Sequence, residues 1–207
     1  MGIPFWTQAG TIDLAALRPQ DMTAEILGDT LAKINRHGGR TPEPFSVAAH
    51  LVLVEQICDP DLRPWALLHR AHEAYLGDMI SPAVELLCQC GTKAAVGHAI
   101  HNAKGKLDRT IAAAWGVAVR SMSEGLRRAD NAACLAEAWH FIGVRPGILP
   151  PAEVDLLDRA MSALAGLPAG DWRTARDLWL TRVEFYAKLG LLSPPRSDDP
   201  ANAVLAG

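Results

Sequence analysis

Apolar residues in this chain recur at intervals of three and four, the period of a helix with one buried face. Ile26, Leu27, Leu31 and Ile34 form the first such stripe, behind Asp21 or Thr23 as a cap, and Gly38-Gly39 can close that helix near His37. Val47, Leu51, Val54 and Ile57 form the second, opened by Ser46, with His50 beside the stripe; Pro42 and Pro44 make the stretch between them a loop. Asp59-Pro60 restarts the chain, and the next predicted helix carries Leu67 to Leu76 and stops at Gly77. Ser81-Pro82 opens a short helix over 83–89, and 92–115 reads as a long helical region interrupted at Gly97 and Gly105. Further helices are predicted from Ser121 or Ser123 to Ile142, over 152–164, and from Asp171 to Leu189. No stretch sustains β alternation. Residues 1–20 read as an irregular lead-in with one short strand around Thr11 to Leu14.

The pattern predicts an all-α fold of seven or eight helices, one domain over 1–192 and a mobile tail over 193–207. Of the 207 residues, 49% are hydrophobic and 21% charged, which is ordinary globular composition. A net charge of -3 provides no electrostatic attraction for nucleic acid. Cys58, Cys88, Cys90 and Cys134 form no CxxC pair, and Met1 to Phe5 has no basic leader, so a cytoplasmic protein is expected. No window is apolar enough for a membrane span, so no membrane partner is expected.

Candidate chemistry concentrates in Leu67 to Asp78. His69, His72 and Glu73 fall at i, i+3 and i+4 among apolar neighbours, where burial costs several kcal/mol unless the groups are paired or ligated. They form either a hydrogen-bonded core network or a binding site. His50 and Asp130 lie beside apolar stripes on two other predicted helices. Two imidazoles and one carboxylate can bind a divalent ion and leave positions open for water, whose pKa the ion would lower. Arg127 or Arg128 is an alternative partner for Asp130. His98 and His101 share a face, but no acid accompanies them.

Three blocks then occur in order. The first is Asn35-Arg36-His37-Gly38-Gly39-Arg40-Thr41, followed by Pro44 to His50. The second is Leu67-Leu68-His69-Arg70-Ala71-His72-Glu73-Ala74-Tyr75-Leu76-Gly77-Asp78, then Pro82. The third is Arg127-Arg128-Ala129-Asp130, with Glu137 seven residues on. Together, over roughly residues 8 to 142, they resemble the HD-domain phosphohydrolases, in particular the small bacterial and phage branch that includes the YfbR-like deoxynucleotidases. The resemblance implies an HD-like helical bundle with His50, His69 and Asp130 as ligands to zinc, manganese, cobalt or magnesium. It implies Glu73 as the acid/base carboxylate and Arg36 on the substrate phosphate. A nucleotide-like phosphoester, a deoxynucleoside mono- or triphosphate, is expected against Arg36, Arg70, His72 and Asp78, with self-association of the protein left open.

One residue departs from that family. Arg70 stands where the family has the aspartate of its His-Asp pair. At an effective dielectric near 20, each unit charge beside a dication is worth roughly 6 kcal/mol, so an inward guanidinium opposes metal binding. Turned inward, Arg70 is expected to pair with Asp130 and Glu73; turned outward, it leaves the three ligands free. The corresponding functions are a metal-dependent phosphohydrolase, or a degenerate HD-fold protein that binds a nucleotide or protein partner without catalysis. A second, smaller departure is Ala83-Val84 in place of a lysine that the branch often carries.

Overall fold

The computed structural model describes residues 2–8, 10–168 and 170–197. It is mostly helical, with one two-stranded antiparallel hairpin, β1 (Pro4–Thr7) and β2 (Gly10–Asp13), near the start of the chain. The strand predicted around Thr11 to Leu14 is therefore present, and its partner at Pro4–Thr7 was not anticipated. That strand is short and largely exposed, so it carries little apolar alternation.

The helices are α1 (Ala24–Lys33), α2 (Val47–Ile57), α3 (Arg63–Ala66), α4 (Glu73–Leu76), α5 (Ser81–Cys90), α6 (Lys93–Ala114), α7 (Glu124–Glu137), α8 (Pro151–Ala165) and α9 (Trp172–Lys188). Caps occur where side chains can satisfy the first free N–H groups. Thr23 accepts from Ile26, Ser46 from Ala49, and Asp171 from Arg173 and Thr174. α1 ends one turn earlier than predicted, because Ile34 turns extended and Asn35 bridges to Ser46. Gly97 and Gly105 do not break α6, which is continuous for 22 residues. α7 continues through a wider π turn at Ala138–Ile142 and is closed by Gly143 in the left-handed region.

α2 is the axis of the molecule. Val47, Ala48, Leu51, Val52, Leu53 and Val54 are all buried, so it is apolar on nearly every side, as a helix enclosed by its neighbours must be. α1, α7, α8 and α9 pack around it, and α3 lies against it. Trp115 and Trp179 meet edge to face in the core at 6.0 Å, and their indole N–H groups donate to the carbonyls of Met22 and Leu67, both at 2.9 Å. The fully buried Glu55 is met by Arg182 at 2.6 Å and by the Tyr186 hydroxyl at 2.5 Å. α5 packs against α6. After α9, Leu192 is buried and the Ser193 amide donates to the carbonyl of Trp115. Of the predicted tail, 198–207 lies outside the described residues. No helix among the described residues is long and apolar enough to cross a membrane.

Candidate functional site

His50 lies one turn into α2, where the surrounding core leaves it no water. Its partners are two carboxylates of α7: Nδ1 lies 2.5 Å from Glu137 Oε1 and Nε2 lies 2.9 Å from Asp130 Oδ1. Asp130 and Glu137 are seven residues apart, two helical turns, and so share a face. Glu137 also accepts from Arg36 Nε at 3.2 Å and sits 3.0 Å from His37 Nε2. Burial would raise its pKa, but His50, His37 and Arg36 hold it well below the usual carboxylate range.

Residues 67–72 correct the expectation of one helix through Leu67 to Leu76. α3 and α4 each span four residues, and the amides of Leu68, Ala71, Glu73, Ala74 and Tyr75 bond three residues back. In such a winding residues three apart eclipse, so Glu73 comes over Arg70 instead of over His69. The expected common face of His69, His72 and Glu73 is thereby divided. His69 turns to Asp130, Glu73 to Arg70, and His72 Nδ1 to Asp108 on α6 at 2.8 Å.

A backbone carbonyl can only accept, so His69 Nδ1 carries a proton and donates to the carbonyl of Ala66 at 2.7 Å. The other ring nitrogen, Nε2, lies 3.3 Å from Asp130 Oδ1. Burial pushes the His69 pKa down, against the pull of Asp130. His50 Nε2 meets the same Asp130 oxygen, so both ring nitrogens of His50 face carboxylates of α7. Donor atoms of His50, His69 and Asp130 lie within 4.8 Å of one another, a spacing that suits one cation.

The cation delivered to that point is Arg70. Its Nη2 lies 2.9 Å from each oxygen of Asp130, its Nε 3.1 Å from Oδ1, and its Nη1 2.9 Å from Glu73 Oε1. Burial works against the guanidinium charge, but Asp130 and Glu73 overcome it and raise the Arg70 pKa. Asp130 behaves correspondingly. Burial raises its pKa, and hydrogen bonds from His50 and His69 together with the Arg70 charge bring it well below the carboxylate range. The inward expectation for Arg70 is the one realised. With the guanidinium holding Asp130 at both oxygens, the donor set as arranged does not fit a divalent ion.

Arg36 and Asp78, both expected against substrate, face each other at 3.6 Å, and Arg36 also reaches Cys134 Sγ at 2.9 Å. Burial and the neighbouring Glu73 push the Asp78 pKa up. Glu73 Oε2 and Asp78 Oδ2 are buried without a hydrogen-bond partner. The carboxylates Glu73, Asp78, Asp130 and Glu137 thus share the two guanidiniums of Arg36 and Arg70.

On the α6 side the centre opens into a cavity of about 350 Å³. His69, Arg70, His72 and Asp130 reach it from one wall, and Lys104, Arg109 and Arg127 from the others. Asp108 at its edge accepts from His72 and from the Ser121 hydroxyl, the latter at 3.1 Å. His98 and His101 are exposed, and they are in no cluster able to hold a metal among the described residues.

Sequence reasoning did not assign roles to Glu137, Asp108, Lys104 or Arg109, and it offered Arg127 only as a partner for Asp130, a place that Arg70 takes. Glu137 was within reach, since its seven-residue spacing from Asp130 puts it on the same face. Asp108 was not, since only the folded chain brings α6 to His72.

These features define a class: a mostly helical protein with two buried histidines and a half-buried aspartate, the aspartate held by an arginine. No known protein family's sequence profile matches the chain. An uncharacterized protein of Rhodobacter capsulatus is 30% identical over 144 residues, covering 64% of this chain and 69% of that protein, and the chain belongs to its family.

Proposed function

We propose that this chain is a degenerate HD-type helical protein, working in the cytoplasm, that binds a nucleotide-like phosphoester without metal-dependent hydrolysis. The observation that carries this reading is the contact of Arg70 with both oxygens of Asp130, which puts a permanent positive charge among the very donors that would hold a divalent ion. The adjoining cavity supports an anionic ligand. Lys104, Arg109 and Arg127 line it, and none of the three has a carboxylate partner among the described residues. Metal analysis of the purified protein after loading with zinc, manganese, cobalt or magnesium tests the reading. Less than a tenth of an equivalent is expected, as an order of magnitude for an arginine-filled site, with binding acquired in Arg70→Asp. Stoichiometric metal in the natural chain would overturn it.

The second reading is a metal-dependent phosphohydrolase with His50, His69 and Asp130 as ligands and Glu73 as the acid/base group. It is favoured by the 4.8 Å grouping of donors and by the four carboxylates that two guanidiniums share. It requires Arg70 to leave Asp130. Chelator-sensitive release of phosphate from a deoxynucleotide would establish this reading in place of the first.

A further inference from the structure

His72 is buried, its Nδ1 lies 2.8 Å from Asp108, and its Nε2 has no hydrogen-bond partner although the residue lines the cavity beside α6. The carboxylate of Asp108 also accepts from Ser121, so it meets His72 as an acceptor and holds the proton on Nδ1. Nε2 is left as a lone pair in a place where an unmet polar atom is costly. A group that satisfies it must donate a hydrogen. An ammonium donor is disfavoured by Arg70, Lys104, Arg109 and Arg127, all of which line the same cavity. A neutral hydroxyl suits both the lone pair and the positive surroundings.

We propose that this cavity takes a phosphomonoester bearing a hydroxyl group, the phosphate lying against Lys104, Arg109 and Arg127 and the hydroxyl donating to His72 Nε2. The inference rests on the phosphoester-binding reading above and adds to it the contact that selects among phosphoesters. His72 is here a specificity residue, and Asp108 is a positioning residue that keeps its acceptor nitrogen turned to the ligand. A site built to receive a hydroxyl rejects the analogue that lacks one, because the buried acceptor then stays unmet.

The test is calorimetric titration of the full chain with ribose 5-phosphate and with butyl phosphate, which share the phosphate and differ in hydroxyls. Ribose 5-phosphate is expected to bind about tenfold more tightly, the effect of one buried hydrogen bond. That ratio is expected to fall close to one in His72→Phe and to return in His72→Gln, whose amide oxygen can accept. Arg127→Gln is expected to weaken both ligands alike. Nitrogen NMR of the natural protein avoids any folding defect of the variants: the His72 Nε2 resonance should move with ribose 5-phosphate and stay in place with butyl phosphate. Equal affinity for the two ligands, or a ratio that survives His72→Phe, overturns this inference and leaves phosphoester binding standing. Failure of both ligands to bind overturns the inference together with the reading beneath it.

Discussion

Arg70 Nη2 lies 2.9 Å from each carboxylate oxygen of Asp130, and this one contact decides how the centre of the molecule is held. The pair joins the turn after α3 to the middle of α7. Its removal leaves Asp130 and Glu73 largely buried without their cation. Arg70→Ala is therefore expected to lower stability by about 3 kcal/mol, as stripping one partner from a buried ion pair does. Arg70→Lys is expected to recover only part of this, since an ammonium cannot span both oxygens. Urea unfolding of the three proteins checks the order, and an Arg70→Ala midpoint equal to that of the natural chain would show that the pair contributes nothing to stability.

Glu137 sets the acid limit. Its folded pKa is depressed below the ordinary 4.5 because His50, His37 and Arg36 outweigh its burial. A depressed carboxylate contributes stability above its unfolded pKa, and that contribution is lost as pH falls toward the folded value. Burial lowers the His69 pKa below 6.5, which acts in the same direction, since the unfolded imidazole takes up a proton first as pH falls. Unfolding free energy measured from pH 7 downward is expected to begin falling near pH 6.5 and to fall more steeply below 4.5. Glu137→Gln should flatten the steeper limb and cost about 3 kcal/mol at neutral pH, because the charge is lost and the amide NH2 must face either His50 or Arg36 where a carboxylate oxygen accepted before.

The helical framework was legible because caps and stops act locally. Thr23, Ser46 and Asp171 cap where their side chains accept from amides two or three residues on, and Gly143 and Gly190 take the positive φ that ends a helix. The grouping of His50, His69 and Asp130 was legible from the resemblance of the three sequence blocks, since spacing alone only places each beside an apolar stripe of its own segment. The winding of 67–72 was not. The sequence there is apolar enough for a helix, but the carbonyls that a helix would use are taken by side chains: the distant Trp179 indole takes that of Leu67, and the local His69 ring takes that of Ala66. The basic cavity was hidden for a similar reason, since Lys104 and Arg109 on α6 come to one cavity with Arg127 on α7 only in the folded chain.

Trp179 supports the centre at long range. Its N–H donates to the carbonyl of Leu67, two residues before His69, from α9. Trp179→Phe deletes the donor and leaves a buried carbonyl unmet, with an expected loss of about 2 kcal/mol. Hydrogen exchange is expected to quicken at the amides of 68–75 more than in α8. Uniform quickening throughout the molecule would mean that Trp179 serves only the global core.

At alkaline pH a different part of the core limits stability. The Tyr186 hydroxyl is buried and donates to Glu55, and burial followed by that carboxylate pushes its pKa up to about 12. Burial also pushes the Cys58 thiol up to about 12, with Glu55 adding to the effect. A raised acid stays protonated in the folded chain while its unfolded counterpart ionises, at about 8.5 for cysteine and about 10 for tyrosine. The stability each group contributes is present below those unfolded values and is lost as pH rises toward 12. Unfolding is thus expected to become easier from about pH 8.5 upward, through cysteine first and tyrosine second. Cys58→Ala should remove the earlier part of the decline and Tyr186→Phe the later part. The Phe variant also leaves one Glu55 oxygen short of a donor, so it should be less stable at neutral pH by about 1 kcal/mol. Denaturant midpoints between pH 7 and 11 separate the two contributions, because only the loss of the Glu55 hydrogen bond persists at pH 7.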